Sequence, residues 1–290
     1  MTLPKEYPPD LMRPGHSACP GCGAAIAMRM VLRALGPRAV VVVVPSCVSV
    51  IAGPFPNAAA KVPMYHAAFE VAAASAAGIS NAFKTQGIFD IPVLAFAGDG
   101  GTFDIGLQSL SGAADRNEDI IYVCVDNEGY MNTGIQVSSA TPQHTWTGTT
   151  PSGNTRRKKQ IMEIMAAHRI PYAATATVGF PEDLMEKVSR AKAIRGTRFI
   201  HLLTPCNTGW KIGEDMAPRV SALAVETRIF PLYEVSGGLR YRLTHKTGGQ
   251  PVEAYLSLQG RYKHLTPEQI QDIQAETDRA WESLKKRCDF

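Results

Sequence analysis

Residues 91–102 read Ile-Pro-Val-Leu-Ala-Phe-Ala-Gly-Asp-Gly-Gly-Thr, and this stretch decides the fold. Its opening part, Ile91–Ala97, is a short apolar run, which is typical of a strand buried on both faces. The glycines that follow allow a tight turn into a predicted helix, Asp104–Arg116, which leads to a second apolar strand at Ile120–Val125. Strand, glycine turn, helix and strand in this order predict a parallel β-α-β unit.

The rest of the chain continues this alternation. Further strands are predicted at Val40–Val44 and Phe199–Leu203, and helices at Ala67–Lys84, Arg157–His168 and Pro181–Ile194. The pattern favours an α/β fold with a doubly wound, mostly parallel sheet. Asn127–Asn154 is predicted to be a long functional loop, and Thr227–Tyr262 to be irregular or β-like, before an amphipathic helix at Thr266–Lys286. We expect a main domain at 1–226 and an extension at 227–290 that packs on it or on partner subunits.

Composition excludes several functional classes. The 290 residues are 45% hydrophobic and 19% charged, which leaves room for a large core in one large or two small domains. A net charge of +4 without a dense basic stripe argues against nucleic-acid binding. The longest apolar run, Val40–Val44, is too short to cross a membrane, and residues 1–6 lack the order of a signal peptide. We therefore expect a cytoplasmic globular protein.

The Gly-Asp-Gly turn carries the first chemical signal. An Asp between glycines is typical of a cation ligand, and Asn127 follows Asp99 by 28 residues, at the end of the next strand. Neighbouring parallel strands end at one edge of a sheet, so the two side chains should lie together. Carboxylate, amide and backbone oxygens around a diphosphate suit Mg²⁺, although a capping Asp in a polar loop would give a similar pattern. The dinucleotide fingerprint fails, because Phe103 stands where its third glycine belongs.

The cysteines carry the second signal. Six cysteines in a reducing compartment indicate metal or redox chemistry rather than disulfides. One pair forms Cys-Pro-Gly-Cys-Gly, and two further cysteines each follow a predicted strand, at the same sheet edge. These four are Cys19, Cys22, Cys47 and Cys206. Four thiolates suit a [4Fe–4S] cluster or a structural zinc, and the spacing leaves both open. We expect Cys124 to be a small buried residue and Cys288 a surface thiol.

Together these motifs resemble a known family. Gly-Asp-Gly followed by Asn after 28 residues is similar to the thiamine-diphosphate motif. Cys-Pro-Gly-Cys-Gly, a Cys 24 residues later and a distant Cys before Asn-Thr-Gly-Trp resemble the β subunit of 2-oxoacid:ferredoxin oxidoreductases. The resemblance covers nearly the whole chain and includes Gly15–Cys19, Phe69–Ala74, Tyr130–Gly134 and Ala224–Tyr233. It implies the diphosphate-binding domain of thiamine enzymes, with an N-terminal cluster-binding segment.

The resemblance also implies roles for particular residues. The ligands of the [4Fe–4S] cluster would be Cys19, Cys22, Cys47 and Cys206. Mg²⁺ would be bound by the side chains of Asp99 and Asn127 and by the carbonyl group of Gly129. The diphosphate would be lined by Gly98, Gly100, Gly101 and Thr102. Asn132 and Thr133 would begin a loop near the reacting carbon of thiamine diphosphate.

The family's reaction is the oxidative decarboxylation of a 2-oxoacid with coenzyme A, with electrons leaving through the cluster to ferredoxin. The resemblance implies that an α subunit supplies the pyrimidine-binding half-site and its activating Glu. The chain lacks a Cys-x-x-Cys-x-x-Cys run, so further clusters are expected on γ and ferredoxin-like δ subunits or fusions.

The substrate and the function class leave alternatives. Family members that act on 2-oxoglutarate tend to carry His-Gly-Arg after the position of His66, whereas this chain reads Ala68–Ala72, which resembles the pyruvate and branched-chain group. Pyruvate is the first expectation; a branched-chain, aryl-glyoxylate or oxalate substrate is the alternative. The rival functions are a non-catalytic, zinc-stabilised α/β binding subunit and an electron-transfer subunit with a vestigial thiamine site.

Two smaller features have structural explanations that require no ligand. The basic run at residues 156–159 could bind coenzyme A phosphates or acidic ferredoxin, but a solvated face is the favoured interpretation. Trp210, close after Cys206, could simply shield a cluster from solvent.

Overall fold

The structure, a computed structural model, describes residues 9–288. These residues form one eight-stranded sheet. Its strands are β1 Val40–Val43, β2 Met64–His66, β3 Val93–Gly98, β4 Ile120–Asp126, β5 Tyr172–Thr177, β6 Thr197–Leu203, β7 Tyr233–Ser236 and β8 Arg240–Leu243. The order is β2-β1-β3-β4-β6-β5-β7-β8, with parallel pairing from β2 to β5 and antiparallel pairing beyond. The expected mostly parallel sheet is confirmed.

Helices cover both faces of the sheet. They are α1 Gly23–Leu35, α2 Cys47–Ala52, α3 Ala72–Thr85, α4 Leu107–Asp115, α5 Ile161–Ala167, α6 Pro181–Ala193, α7 Asn207–Trp210, α8 Ala217–Glu226, α9 Glu253–Leu256 and α10 Pro267–Arg287. One face packs against α1, α2 and α6 through residues such as Met28 and Val188. The other packs against α3, α4, α5 and α10 through residues such as Ala76 and Leu110. The sheet is therefore doubly wound, as expected.

Local sequence explains where these elements lie. Every residue of β4 is buried, as its apolar and aromatic composition requires of a central strand. Helix α10 begins at Pro267, because the Thr266 side chain accepts a hydrogen bond from the Gln269 backbone N–H in a capping box. The chain between β3 and α4 forms a π-helical turn at Gly100–Asp104, where a simple helix from Asp104 was predicted.

Weak sequence signals account for the other differences. Strands β2 and β5 were not predicted. Strand β2 has only three residues, and the sequence of β5, Tyr-Ala-Ala-Thr-Ala-Thr, has little apolar contrast, although all of it is buried. The helix expected from Arg157 begins only at Ile161, and the Lys159 backbone N–H donates to the Ser139 carbonyl group instead. The region expected to be irregular or β-like contains β7 and β8, which extend the sheet beyond β5.

The loop between β4 and α5 has neither helix nor strand, as expected for Asn127–Asn154. It is nevertheless well anchored. The buried Asn154 amide donates to the carbonyl groups of Thr141, Pro142 and Arg156, at 2.9, 3.2 and 2.9 Å. The loop is therefore a fixed part of the sheet edge from which it departs.

None of the helices in residues 9–288 combines the length and the apolar composition that a membrane span requires. Residues 1–6, on which the expectation about a signal peptide rests, lie outside the described residues.

Candidate active site

Four neighbouring strands deliver the predicted site residues to one edge of the sheet. Strands β1, β3, β4 and β6 lie side by side and run parallel, so their carboxyl ends meet. Each is followed within four residues by one predicted ligand: Cys47, Asp99, Asn127 and Cys206. The carboxyl edge of a parallel sheet is where α/β proteins bind their ligands.

Three oxygen atoms converge at the ends of β3 and β4. The side-chain oxygen of Asn127 lies 3.1 Å from Asp99 Oδ1 and 2.8 Å from the Gly129 carbonyl oxygen. An octahedral Mg²⁺ with bonds of about 2.1 Å places adjacent ligand oxygens about 3.0 Å apart. In the opposite amide orientation Asn127 would donate hydrogen bonds to both oxygens. The donor set and its spacing fit Mg²⁺.

The electrostatics of Asp99 favour a bound cation. Burial, reinforced by the nearby Asp126 carboxylate, raises the pKa of Asp99 well above its usual range. The Ser138 hydroxyl, which donates to Asp99 Oδ2 at 2.5 Å, the positive charge of Lys158 and the Asp99 backbone N–H lower the pKa, but burial and Asp126 outweigh them. A buried carboxylate with so little compensation is costly to ionise, and a divalent cation would remove that cost.

The glycine turn after β3 is tightly packed. A side chain at Gly100 would overlap the ring of Tyr130, whose hydroxyl donates to Asp104 Oδ2 at 2.8 Å. A Cβ atom at Gly101 would lie 3.1 Å from the Phe69 ring. The Thr102 hydroxyl is fully buried and donates to the Gly98 carbonyl oxygen at 2.8 Å. Backbone N–H groups, rather than the Thr102 side chain, are therefore what this turn offers a diphosphate.

The four predicted cluster ligands line one small cavity at the same edge. Its wall contains Cys19, Cys22, Cys47 and Cys206, together with Asn127 and Asn132. Burial, reinforced by the Cys206 and Cys22 thiols, raises the pKa of Cys47 to about 12. Burial also raises the pKa values of Cys22 and Cys206. Thiolates here need a cationic centre to compensate them, which fits a metal cluster.

Glycines bring the N-terminal cysteine pair to this cavity. Gly21 has a φ of +67°, and a side chain there would overlap the Glu214 carbonyl oxygen. A Cβ atom at Gly23 would lie 2.6 Å from the Pro205 carbonyl oxygen. The Asn207 amide donates to the Pro20 carbonyl oxygen at 2.8 Å. The Cys-Pro-Gly-Cys-Gly motif is therefore fitted to the segment around Cys206.

The predicted Mg²⁺ ligands and the predicted cluster ligands lie next to each other. Asn127 Nδ2 lies 3.9 Å from Cys47 Sγ, within reach of a weak hydrogen bond to sulfur. No three His, Cys, Asp or Glu side chains among residues 9–288 have the arrangement required to hold a single metal ion. The predicted Mg²⁺ ligands are not such a group, because only Asp99 is of one of these four residue types. The other two ligands are the Asn127 amide and the Gly129 backbone carbonyl group.

Comparison with known proteins identifies the family. Residues 47–202 match the family described as "Thiamine pyrophosphate enzyme, C-terminal TPP binding domain". The chain is 46% identical to the pyruvate synthase subunit PorB of Methanothermobacter marburgensis, over 98% of this chain and all of that one. It is 45% identical to the ketoisovalerate oxidoreductase subunit VorB of Pyrococcus furiosus, over 94% and 91% of the two chains. The chain belongs to the 2-oxoacid:ferredoxin oxidoreductase subunit family.

A solved structure of this oxidoreductase family has a similar fold. It is 2-oxoglutarate:ferredoxin oxidoreductase from Magnetococcus marinus, with 2-oxoglutarate, coenzyme A and succinyl-CoA bound. The TM-score is 0.60, and the match covers 94% of this chain and 89% of that chain at 22% sequence identity. The likeness supports the thiamine-type fold that the motifs implied.

Asn132 and Thr133, expected near the reacting carbon in this oxidoreductase family, are both exposed. Asn132 lines the cysteine cavity. Thr133 lies in a turn where its hydroxyl donates to Gln136 Oε1 at 2.6 Å and its carbonyl oxygen accepts from Gln136 Nε2 at 2.9 Å. The structure thus brings Asn132 to the cysteine-lined cavity, and the roles of both residues stay predictions.

An ionic network that no sequence pattern predicted lies behind the predicted Mg²⁺ ligands. Lys158 Nζ bonds to Asp126 Oδ2 at 2.6 Å and to Glu128 Oε1 at 2.9 Å. Arg261 Nη2 bonds to Glu128 Oε2 at 2.6 Å, and His201 Nε2 lies 2.7 Å from Asp126 Oδ2. Burial raises the pKa of Asp126, but Lys158 and His201 outweigh it and lower that pKa. The signal in the sequence was Asp-Asn-Glu at a buried strand end, which demands nearby cations.

The interpretation of residues 156–159 as a solvated face is therefore wrong for half of the run. Lys158 belongs to the buried network, and Lys159 Nζ donates to the Phe103 carbonyl oxygen. Arg156 and Arg157 are exposed, as expected. Lys158 also lines a cavity of about 680 Å³ between α10 and the sheet.

The two remaining cysteines differ in outcome. Cys124 is fully buried in β4, as expected. Cys288 was expected to be a surface thiol, but it is 7% exposed, and its backbone N–H donates to the carbonyl groups of Leu284 and Lys285. The correction follows from the packing of the end of α10 beside β8, where Cys288 forms a bridge with Tyr241.

Proposed function

We propose that this chain is the β subunit of a 2-oxoacid:ferredoxin oxidoreductase and carries the diphosphate half of its thiamine site together with a [4Fe–4S] cluster. The Mg²⁺ ligands are the side chains of Asp99 and Asn127 and the carbonyl group of Gly129. The cluster ligands are Cys19, Cys22, Cys47 and Cys206. The diphosphate lies on the turn formed by Gly98, Gly100, Gly101 and Thr102.

The convergence on Asn127 is the single observation that carries this proposal. Its side-chain oxygen lies 2.8 Å from the Gly129 carbonyl oxygen and 3.1 Å from Asp99 Oδ1, and its Nδ2 lies 3.9 Å from Cys47 Sγ. The proposed metal–diphosphate site and the thiol cavity therefore share the Asn127 amide. This arrangement suits an enzyme in which electrons released by decarboxylation pass directly to a cluster. A zinc-stabilised binding subunit would have no use for the oxygen set.

The residues of this chain then have separable tasks. Asp99 supplies negative charge to a cation, Asn127 and Gly129 supply neutral oxygens, and the turn after β3 presents N–H groups to phosphate oxygens. Cys22, Cys47 and Cys206 are half-buried and Cys19 is exposed, and their four thiols would hold the cluster in the cavity that they line. When bound, thiamine diphosphate supplies the carbon nucleophile for decarboxylation and the cluster supplies one-electron transfer. Asn132 and Thr133 would border the substrate.

The proposed complex contains further subunits. An α subunit supplies the pyrimidine-binding half-site, and γ and ferredoxin-like δ subunits or fusions carry electrons on to ferredoxin. Coenzyme A accepts the acyl group. Residues 1–226 form the cofactor domain, residues 227–290 form an extension against that domain or its partners, and the complex acts in the cytoplasm.

Pyruvate is the proposed substrate. The relatives support two substrate classes almost equally, because a pyruvate synthase subunit is 46% identical and a ketoisovalerate oxidoreductase subunit is 45% identical. A branched-chain 2-oxoacid is therefore the second candidate, followed by aryl-glyoxylates and oxalate. Reduction of a low-potential dye by the complex with each 2-oxoacid and coenzyme A ranks them by kcat/KM.

Anaerobic purification of the complex tests the function. We expect iron and acid-labile sulfide in this subunit and dye reduction that requires a 2-oxoacid, coenzyme A and thiamine diphosphate. Zinc without iron would support the alternative of a zinc-stabilised binding subunit. Iron without thiamine binding would support the alternative of an electron-transfer subunit with a vestigial thiamine site.

The Asp99→Ala variant tests the metal site in the same assay. Loss of the charged Mg²⁺ ligand removes about 3 kcal/mol of transition-state stabilisation, which is roughly a 100-fold fall in turnover. An Asp99→Ala complex that keeps its turnover and its thiamine dependence would refute the metal assignment.

A further inference from the structure

Arg261 contacts both halves of the candidate site, although it lies far from either motif in sequence. It stands in the 3-10 turn Gly260–Tyr262 and is 1% exposed. Its Nη2 bonds to Glu128 Oε2 at 2.6 Å, and its guanidinium group lies 3.7 Å from the centre of the Trp210 ring. Glu128 stands between two magnesium ligands, and Trp210 ends the helix that begins next to Cys206.

The contact with Glu128 fixes the shape of the metal-binding turn. Glu128 has a φ of +64°, a left-handed conformation that a non-glycine residue adopts only when its surroundings impose it. Its backbone N–H donates to Asp126 Oδ1 at 2.8 Å, and its carboxylate is held from two sides, by Lys158 and by Arg261. This conformation is what turns the Asn127 side chain and the Gly129 carbonyl group towards the same point.

The contact with Trp210 joins this turn to the cysteine segment. Trp210 is fully buried, and its Nε1 donates to the Asn127 carbonyl oxygen at 2.7 Å. Four residues earlier, Cys206 Sγ accepts a hydrogen bond from the Gly209 backbone N–H at 3.3 Å. The stacked guanidinium group therefore holds a ring that is bonded to the metal turn and belongs to the helix that orients a cluster thiol.

We infer that Arg261 is a positioning residue that sets the geometry of the Mg²⁺ turn through Glu128 and of the cluster segment through Trp210. This role rests on the proposed function, because it assumes that both groups bind where their ligands converge. Groups that orient metal ligands without touching the metal typically change metal affinity 10- to 100-fold when they are lost.

Arg198 provides a matched control. It is also an arginine with 2% exposure and a carboxylate partner, Asp119, but it lies at the opposite end of β4 and β6. Besides Asp119, its guanidinium group bonds to the carbonyl groups of Ala191, near the end of α6, and of Gly196, just before β6. Its loss should destabilise the fold without changing either cofactor site.

The experiment compares Arg261→Gln with Arg198→Gln in the anaerobically purified complex. Mn²⁺ affinity is measured by electron paramagnetic resonance in the presence of thiamine diphosphate, and the rate of iron release to a chelator is measured separately. We expect Arg261→Gln to weaken Mn²⁺ binding at least about tenfold and to accelerate iron release, with Arg198→Gln within about twofold of wild type in both.

Two further variants separate the contacts of Arg261. Arg261→Lys keeps a positive charge near Glu128 but loses the planar group over Trp210, so it should retain more Mn²⁺ affinity than Arg261→Gln while releasing iron as fast. Glu128→Gln keeps the stacking and should weaken Mn²⁺ binding without accelerating iron release. Glu128→Gln also serves if the Arg261 variants do not fold.

The outcomes distinguish the inference from the function on which it rests. Wild-type complex that binds Mn²⁺ and thiamine diphosphate, with Arg261→Gln and Glu128→Gln no weaker in Mn²⁺ affinity than Arg198→Gln, overturns the inference alone. Wild-type complex that binds neither overturns the proposed function and the inference together.

Discussion

Strand β4 has a buried arginine–carboxylate pair at each end, and the two pairs are built differently. At the amino end, Arg198 pairs with Asp119 and otherwise bonds to carbonyl groups only seven and two residues away in sequence. At the carboxyl end, Arg261 pairs with Glu128, which is 133 residues away, and stacks on Trp210. The first pair spans 79 residues and joins the starts of the neighbouring strands β4 and β6, whereas the second joins the turn after β4 to the helix that begins beside Cys206.

The difference shows what distinguishes a structural from a functional polar cluster. Asp119 is half-buried and forms ion pairs with two arginines, Arg195 and Arg198. Burial raises the pKa of Asp119, but the two arginines outweigh it and lower that pKa. At the other end Asp99, Asp126 and Glu128 are all buried, and Asp99 has a raised pKa. These carboxylates lie at one edge of the sheet and outnumber the lysine and arginine side chains beside them. Carboxylates with shifted pKa values in such an arrangement indicate a site that can bind an additional positive charge.

The largest expected effect contrasts the carboxyl edge with the middle of β4. Cys47→Ser should remove the cluster iron and abolish dye reduction, because a serine hydroxyl is a poor replacement for a thiolate ligand. Cys124→Ser, a matched change in a fully buried cysteine, should keep the iron and lose only stability. Iron and acid-labile sulfide analysis checks both. Equal iron loss in the two variants would contradict the ligand assignment.

The next effect concerns the amino end of β4. Arg198→Gln leaves Asp119 without its closest partner and should lower the free energy of unfolding by about 3 kcal/mol. Urea denaturation measures this loss. The Mn²⁺ affinity of the folded complex should not change, since the partners of Arg198, namely Asp119, Ala191 and Gly196, all lie at that end. A large loss of Mn²⁺ affinity would mean that the two ends of β4 are coupled.

A pH dependence sharpens the comparison further. Because the folded-state pKa of Asp99 is raised, its protonated form stabilises the fold below about pH 4, and this contribution is lost as the pH rises through the folded-state value. Without Mg²⁺, the wild-type chain should therefore lose stability relative to Asp99→Asn as the pH rises from about 4 through the folded-state pKa of Asp99.

Urea midpoints measured across this pH range in a chelating buffer check the sign. The gap between Asp99→Asn and wild type should widen as the pH rises and close when Mg²⁺ and thiamine diphosphate are added to wild type. Parallel curves without Mg²⁺ would show that Asp99 is ionised without penalty.

The smallest effect separates side chain from backbone in the turn after β3. Thr102→Val removes a buried hydroxyl that bonds to Gly98 and lies 3.2 Å from the Tyr122 hydroxyl, so it should cost about 1 kcal/mol in stability. Thiamine diphosphate affinity, measured by calorimetry, should stay within about twofold, because a phosphate meets the backbone here. A tenfold loss would assign the hydroxyl itself to the diphosphate.

The sequence was sufficient for the parts of the molecule that local patterns encode. Apolar β3 and β4 and the glycines between them predicted the parallel unit, and equal positions at two strand ends predicted that Asp99 and Asn127 would meet. Strand β5 escaped because an alternation of Ala and Thr has little hydrophobic contrast, and burial came from its neighbours instead.

The ionic network escaped for a different reason. The pairing of Arg261 with Glu128 depends on where the last quarter of the chain folds back, and no local pattern records a contact across 133 residues. Lys158 stood in a basic run whose usual meaning is a solvated face. Only the unpaired acidic residues at the end of β4 hinted that cations had to come from elsewhere.

The carbonyl group of Gly129, a proposed Mg²⁺ ligand, has an evolutionary consequence. A ligand supplied by a side chain can be deleted by one codon change, but every amino acid at position 129 keeps a backbone oxygen. One third of the proposed oxygen set is therefore lost by displacement of the backbone rather than by deletion of a ligand. A Cβ atom at position 129 would lie 3.0 Å from the Gln136 carbonyl oxygen, and a change elsewhere that lets the left-handed turn at Glu128 relax would also move the Gly129 carbonyl group. Deleterious substitutions for the proposed site should accordingly include residues that never touch the metal.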